Sequence, residues 1–277
     1  MATVPAPGIV PSGVRRLPFQ SSYGLLGVIV AILAVWYVGA FLVHLSDEPF
    51  PDAKLPYPHF VVQEFVDNLD MVMSAARVTL TMAVLGFLAG AVIAIGIGVF
   101  ISQSSWLEAA FMPYLLMAQM IPVIALVPVM QTVFRNPTLT RLLIAGFVTI
   151  LPVAVSTVRG LKAAPPEARE LMESYDASRL QTLRHLLSPS ALPLVFTGLR
   201  IAAPLSVLGS VLVDLTGGQQ GLGYLVLAAQ VYGPNFAGLV WVAMVVLAVL
   251  GALMAQAVSI TERLVAPWDV AVRGEVA

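Results

Sequence analysis

Runs without a single Asp, Glu, Lys or Arg, each long enough to cross a bilayer, constrain this chain more than any other feature. Between Arg16 and Asp47 lie 30 such residues, between Arg77 and Glu108 another 30, and between Glu108 and Arg135 there are 26. A helix needs about 20 largely apolar residues to cross roughly 30 Å of hydrocarbon, so each run holds one span. The run from Arg141 to Arg159 has 17 residues and suffices if Arg159 extends its charge to the interface. A further apolar stretch runs from Pro189 to Val213, interrupted only at Arg200. The 47 charge-free residues from Leu215 to Thr261 exceed one span. Turn signals break them at Gly217-Gly218-Gln219-Gln220-Gly221-Leu222-Gly223 and at Tyr232-Gly233-Pro234-Asn235, which leaves a loop, a short interfacial helix and a sixth span.

The expectation is therefore an all-α integral membrane protein with spans at about 21–45, 76–101, 109–134, 141–160, 190–213 and 237–261, and tails at 1–20 and 266–277. Composition agrees, since 10% of residues are charged against roughly a quarter in soluble domains. Cysteine is absent, which excludes disulfides and thiolate metal sites. His44, His59 and His185 show no ligand spacing, so no metal or other cofactor is expected. The apolar run after Arg15 and Arg16 is too long for a secretory signal and ends without a small-x-small cleavage site.

Placing the amino terminus in the cytoplasm puts nine Lys and Arg inside and four (Lys54, Arg77, Arg135, Arg141) outside, as the positive-inside rule asks. Both termini are then cytoplasmic, in the inner cell membrane. Residues 46–74 form an extracytoplasmic segment, acidic and rich in proline, expected to begin extended and end in a short amphipathic helix. Pro113, Pro122 and Pro128 punctuate the third span, which is either a pathway helix or one with a packing kink. Gln119, Pro122, Gln131, Ser156, Ser206 and Ser210 are candidate pathway residues. Arg200 and Asp214, 14 residues apart on the fifth span, cannot pair with one another and are expected near its two ends in structural roles. Gly221 and Gly223 are expected to shape a turn rather than an anion-binding nest.

One long polar segment falls inside, at 161–189. Pro165-Pro166-Glu167 starts a helix whose Ala168, Leu171, Met172 and Tyr175 share one face. Asp176-Ala177-Ser178 is a turn, and Ser178 with Gln181 reads as a capping box for a second helix, striped by Leu180, Leu183 and Leu187 and closed by Pro189.

Glu170, Asp176, Leu186 and Pro189 stand at the Glu, Gly, Ile and Pro positions of the pattern Glu-Ala-Ala, three residues, Gly, nine residues, Ile, one residue, Leu-Pro. That pattern marks the permeases of ATP-binding-cassette (ABC) importers, which this chain resembles over about residues 75–262. Pro189-Ser190-Ala191-Leu192-Pro193, Gly198-Leu199-Arg200-Ile201-Ala202 and Gly221-Leu222-Gly223-Tyr224-Leu225 resemble the sulfonate, nitrate and taurine branch, which also holds carriers of pyrimidine vitamin precursors. Leu171 and Met172 replace the two alanines, Asp176 the glycine and Ser188 the leucine; Asp tolerates a left-handed turn, so the turn survives.

The resemblance implies a six-helix type I importer fold in which Glu170, Leu171, Met172, Tyr175, Asp176, Ala177, Ser178, Leu186 and Pro189 form an ATPase-coupling loop. It implies as partners two cytoplasmic ABC ATPases, a second permease subunit, more readily a copy than a paralogue, and an extracytoplasmic solute-binding protein, within membrane lipid and without nucleic acid. The chain cannot be the ATPase, because Lys54 and Lys162 follow Ala53 and Leu161 and no Gly-Lys-Ser/Thr exists. A secondary transporter is the rival reading. An intramembrane protease is disfavoured by the lack of a Gly-x-Ser-x-Gly elbow or a second buried aspartate beside Asp214.

Overall fold

The computed structural model describes residues 22–46, 50–218, 220–233 and 237–268. The expected tail at 1–20, most of that at 266–277, and Gln219, Pro234 and Asn235 of the two turns lie outside them. The chain divides into two compact units, 1–60 and 61–277.

In the first unit, α1 (Ser22–Leu45) is apolar along its length and mostly exposed among its described residues, with Ala40 buried, as suits a helix whose faces meet lipid. The segment after it folds back. His44 Nε2 meets Asp52 Oδ1 at 2.9 Å, and the Trp36 indole N–H donates to the Pro56 carbonyl at 3.0 Å. Residues 47–49, where the segment is expected to begin extended, lie outside the described residues; from Pro51 the chain is helical as α2 (Pro51–Lys54), since Pro51 at the first helical position and Asp52 in the first turn both favour a start. The expected helix at the segment's end is α3 (Pro58–Asp67).

The second unit is built around three long helices: α4 (Leu69–Ser102), α7 (Pro137–Lys162) and α10 (Ser188–Leu215). Helix α7 lies against both of the others. Small residues allow it, as is usual where no hydrophobic effect drives helices together within lipid. A Cβ added at Gly90 of α4 would sit 2.6 Å from the Gly146 carbonyl oxygen of α7, and one at Gly198 of α10 would sit 2.7 Å from the Ser156 side chain. Asn136 caps α7 by accepting from the Leu139 N–H at 3.1 Å. Helices α11 (Leu222–Tyr232) and α12 (Ala237–Val265) complete the unit, α12 packing on α10.

The third span departs from the single helix expected at 109–134. It is two helices, α5 (Ser105–Ala118) and α6 (Val123–Phe134), bent by 92°. Pro122 has no N–H and restrains Ile121. The chain turns there through short bonds from Gln119, Met120 and Ile121 N–H to Leu116, Met117 and Ala118 carbonyls. Among the described residues, five helices are long and apolar enough to cross a membrane, and the bent pair makes a sixth if it counts as one span.

The fifth span also differs at its start. Pro189 does not close the preceding unit: the chain stays helical from α9 (Arg179–Thr182) through a π-helical turn (Leu183–Leu187) into α10, with Pro189 in the first turn of α10. Pro189 has no N–H to offer the preceding turn; the π-helical turn just before it is the irregularity that accommodates it, and the Ser190 hydroxyl donates to the Leu186 carbonyl at 2.8 Å.

Candidate translocation cavity and coupling loop

The loop before α10 is a helical hairpin with one half anchored and the other bare. Helix α8 (Pro166–Ser174) starts at the proline pair, and Arg169 donates to the Leu161 carbonyl at 2.9 Å, tying it to the end of α7. Asp176 turns the chain with φ of 53°, the left-handed geometry that glycine would supply in the family pattern. Ser178 and Gln181 then form a complete capping box.

Leu183 and Leu187 pack on the buried cluster of Leu161, Ala191 and Val195, which roots the hairpin in α7 and α10. Leu180, expected on the same stripe, points away and is exposed. On α8, Leu171 is 56% exposed, Tyr175 at its end is 76% exposed, and Glu170 is exposed beside them. Met172 and Ala177 are half-buried, as are Leu186 and Pro189 nearer the root, while Ser178 is exposed. An apolar stripe on a charged nine-residue helix, uncovered by the described residues, is a surface suited to a protein groove.

The break between α5 and α6 opens a cavity of about 330 Å³ against α7 and α10. Gln119 lines it, with Ile121, Val148, Pro152, Leu205 and Leu208. The other candidate pathway residues lie elsewhere. Pro122 is exposed at the corner, and Gln131 donates to the Thr216 hydroxyl at 3.2 Å, pinning α6 to the end of α10. Ser156 abuts Gly198 at a helix contact, and Ser206 and Ser210 are buried, Ser206 donating to the Ala203 carbonyl.

Both intraspan charges prove to be paired. Asp214, next to last in α10, is fully buried, and its Oδ1 accepts from Arg141 Nε at 2.5 Å. Arg141 is itself 4% exposed, inside the first turns of α7. Arg141 also donates to the Gln220 carbonyl at 2.9 Å, and the Leu222 N–H donates to the Thr79 hydroxyl at 2.9 Å. One knot therefore joins α4, α7, α10 and the glycine-rich loop. Gly221, at φ of 97°, is required there because a Cβ would collide with the Asp214 carboxylate and the Thr79 hydroxyl. Gly223 is packed as closely, 2.7 Å from the Asp214 side chain by the same measure. Arg200, expected near one end of the fifth span, lies near the middle of α10 and pairs with Glu262 of α12, and Glu108 of α5 pairs with Lys162 of α7. Sequence reasoning missed these partners; only the cost of a lone charge in a span hinted at them.

A multi-pass bundle with a broken helix, a partly open cavity and a projecting hairpin suits a membrane transport permease. Residues 86–267 match the model of the family described as binding-protein-dependent transport system inner membrane component. The chain belongs to that family, the permeases of ABC importers of small solutes. The riboflavin transport system permease protein RibX of Chloroflexus aurantiacus is 30% identical over 248 residues, covering 89% of this chain and 90% of that protein. The formylaminopyrimidine transport permease protein ThiX of Halalkalibacterium halodurans is 29% identical, covering 86% and 92%. The putative aliphatic sulfonates transport permease protein SsuC of Bacillus subtilis is 26% identical, covering 92% of each. In fold, the chain is similar to the inward-facing MetNI methionine ABC transporter, with a TM-score of 0.60 at 20% identity, covering 71% of this chain and 96% of that one.

Proposed function

We propose that this permease moves its solute by alternating access, and that residues 166–187 couple it to a separate cytoplasmic ATPase that supplies the energy. The observation that carries this is the uncovered stripe of Leu171 and Tyr175 on a hairpin rooted in α7 and α10. A groove that binds the stripe can move those two spans as a unit, because Leu183 and Leu187 are packed into the same cluster as Leu161 and Val195. Glu170 fixes the contact by pairing with polar groups on the groove wall.

The permease works as a pair of subunits with two ATPases and receives solute from an extracytoplasmic binding protein. The six-span unit supplies half of the pore, and a second copy supplies the other half. Both termini face the cytoplasm, from the asymmetry of Lys and Arg. The solute is small, of the kinds named for its relatives: riboflavin, formylaminopyrimidine, aliphatic sulfonates or nitrate.

Glu170→Lys and Leu171→Asp test the coupling. Each is expected to abolish uptake and co-purification of the ATPase while the permease still inserts at normal levels, because both side chains are exposed. Full ATPase binding and uptake by both variants contradicts the assignment.

A further inference from the structure

We infer that the apolar groove between α3, α4 and α12 holds one acyl chain of a phosphatidylethanolamine, with the lipid phosphate on Arg77 and its ammonium toward Asp70. The groove shares no residue with the cavity at the α5–α6 break, and the site stands whether or not the importer reading does.

Its walls are Val61 and Phe65 of α3, Met73 and Ala76 of α4, and α12 from Val242 to Leu253, and every lining side chain is apolar. The volume is about 390 Å³, and Val249 and Leu253 along it are more than half exposed. Length decides the occupant. From Val242 to Leu253 a helix advances about 16 Å, half of the roughly 30 Å hydrocarbon core. A spanning helix from another subunit would need a seat about twice as long, whereas an acyl chain fills one leaflet. Helix α3 bounds the groove where α12 begins: a Cβ added at Gly238, in the first turn of α12, would sit 3.0 Å from the Glu64 side chain.

The charges beside the groove name the headgroup. Arg77 follows groove-lining Ala76 and lies one helical turn from groove-lining Met73. It is exposed, and the next charged residue along the chain is Glu108. Among the described residues neither Arg77 nor Asp70 has an ion-pair partner. A cation at the head of such an apolar stretch is costly unless it reaches the interface and meets an anion, and a guanidinium matches phosphate with paired N–H donors. Asp70 stands two turns nearer the start of α4 on the same stripe, with Met73 between them. Glu64 and Asp67 of α3 add to the negative rim, so an anionic headgroup is repelled. A headgroup that carries an ammonium beyond its phosphate satisfies both signs. A primary ammonium also donates hydrogen bonds to a carboxylate, which a quaternary choline cannot do.

Native mass spectrometry of the full chain in mild detergent tests the site, with palmitoyl-oleoyl phosphatidylethanolamine, phosphatidylcholine and phosphatidylglycerol as probes. The expected result is one phosphatidylethanolamine retained per chain, which the other two lipids displace poorly. Arg77→Gln, and Val249→Trp, which fills the groove, are each expected to lower that occupancy about tenfold, the worth of a lost charge-assisted hydrogen bond. Asp70→Asn should weaken retention of phosphatidylethanolamine and leave phosphatidylcholine unchanged. Arg77 and Asp70 are both exposed, so these two variants carry the test even if Val249→Trp fails to fold. Three outcomes overturn the proposal. Equal retention of all three lipids would mean bulk boundary lipid only, and retention indifferent to Arg77→Gln would remove the phosphate contact. Loss of a dimer in Val249→Trp with lipid retention unchanged would make the groove a seat for the second copy.

Discussion

Asp214 shows why single charges in this chain need partners distant in sequence. It lies near the carboxyl-terminal end of α10, where unsatisfied carbonyls already make the local potential negative, and it is fully buried. The Arg141 guanidinium offsets both effects and carries the link onward to the Gln220 carbonyl. Removing one member of a buried pair costs about 3–5 kcal/mol, whereas replacing both with apolar groups is often neutral. Arg141→Met alone should therefore lower the melting temperature of the purified permease markedly, and Arg141→Met with Asp214→Leu should recover most of the loss. Equal destabilisation by the single and double variants in thermal unfolding would show that the pair contributes little. These partners were not legible in the sequence because 73 residues separate Arg141 from Asp214 and 62 separate Arg200 from Glu262. The capping box at Ser178 and Gln181 and the left-handed Asp176 were legible, because both are decided within four residues.

Among the elements, α7 is the one on which the others depend. Gly86, Gly90 and Gly98 of α4 meet it on one side and Gly198 and Gly209 of α10 on the other. At Gly90, a Cβ would fall 2.6 Å from the Gly146 carbonyl oxygen and 2.9 Å from Thr149, and backbone cannot yield as a flexible side chain can. Gly90→Leu should therefore prevent stable packing of α4 on α7, whereas Gly96→Leu, with nothing within 4 Å of an added Cβ, should be tolerated. Comparable yields and melting temperatures for the two variants would contradict this view of the interface. Charge-free run lengths revealed the existence of these helices but not the 92° corner in the third span. Pro113, Pro122 and Pro128 all signalled a break. Only Pro122 produced the sharp corner; the other two are absorbed inside α5 and α6.

For the whole molecule, the proposed orientation follows from where charge lies, and the proposed energy source from the uncovered stripe of Leu171 and Tyr175. In the proposed orientation residue 52 lies outside, and the absence of native cysteine lets one introduced by Asp52→Cys report on it cleanly. Labelling by an impermeant thiol reagent in intact cells is expected; labelling only after the cytoplasmic face is opened would reverse the orientation. In the proposed mechanism ATP drives this permease through the hairpin at 166–187. Uptake into proteoliposomes holding the permease, its ATPase and loaded binding protein measures it most directly, with and without ATP and with and without an imposed proton gradient. Uptake is expected to require ATP and the ATPase and to ignore the gradient. Uptake by the permease alone, driven by the gradient without ATP, would contradict it and make the chain a secondary transporter.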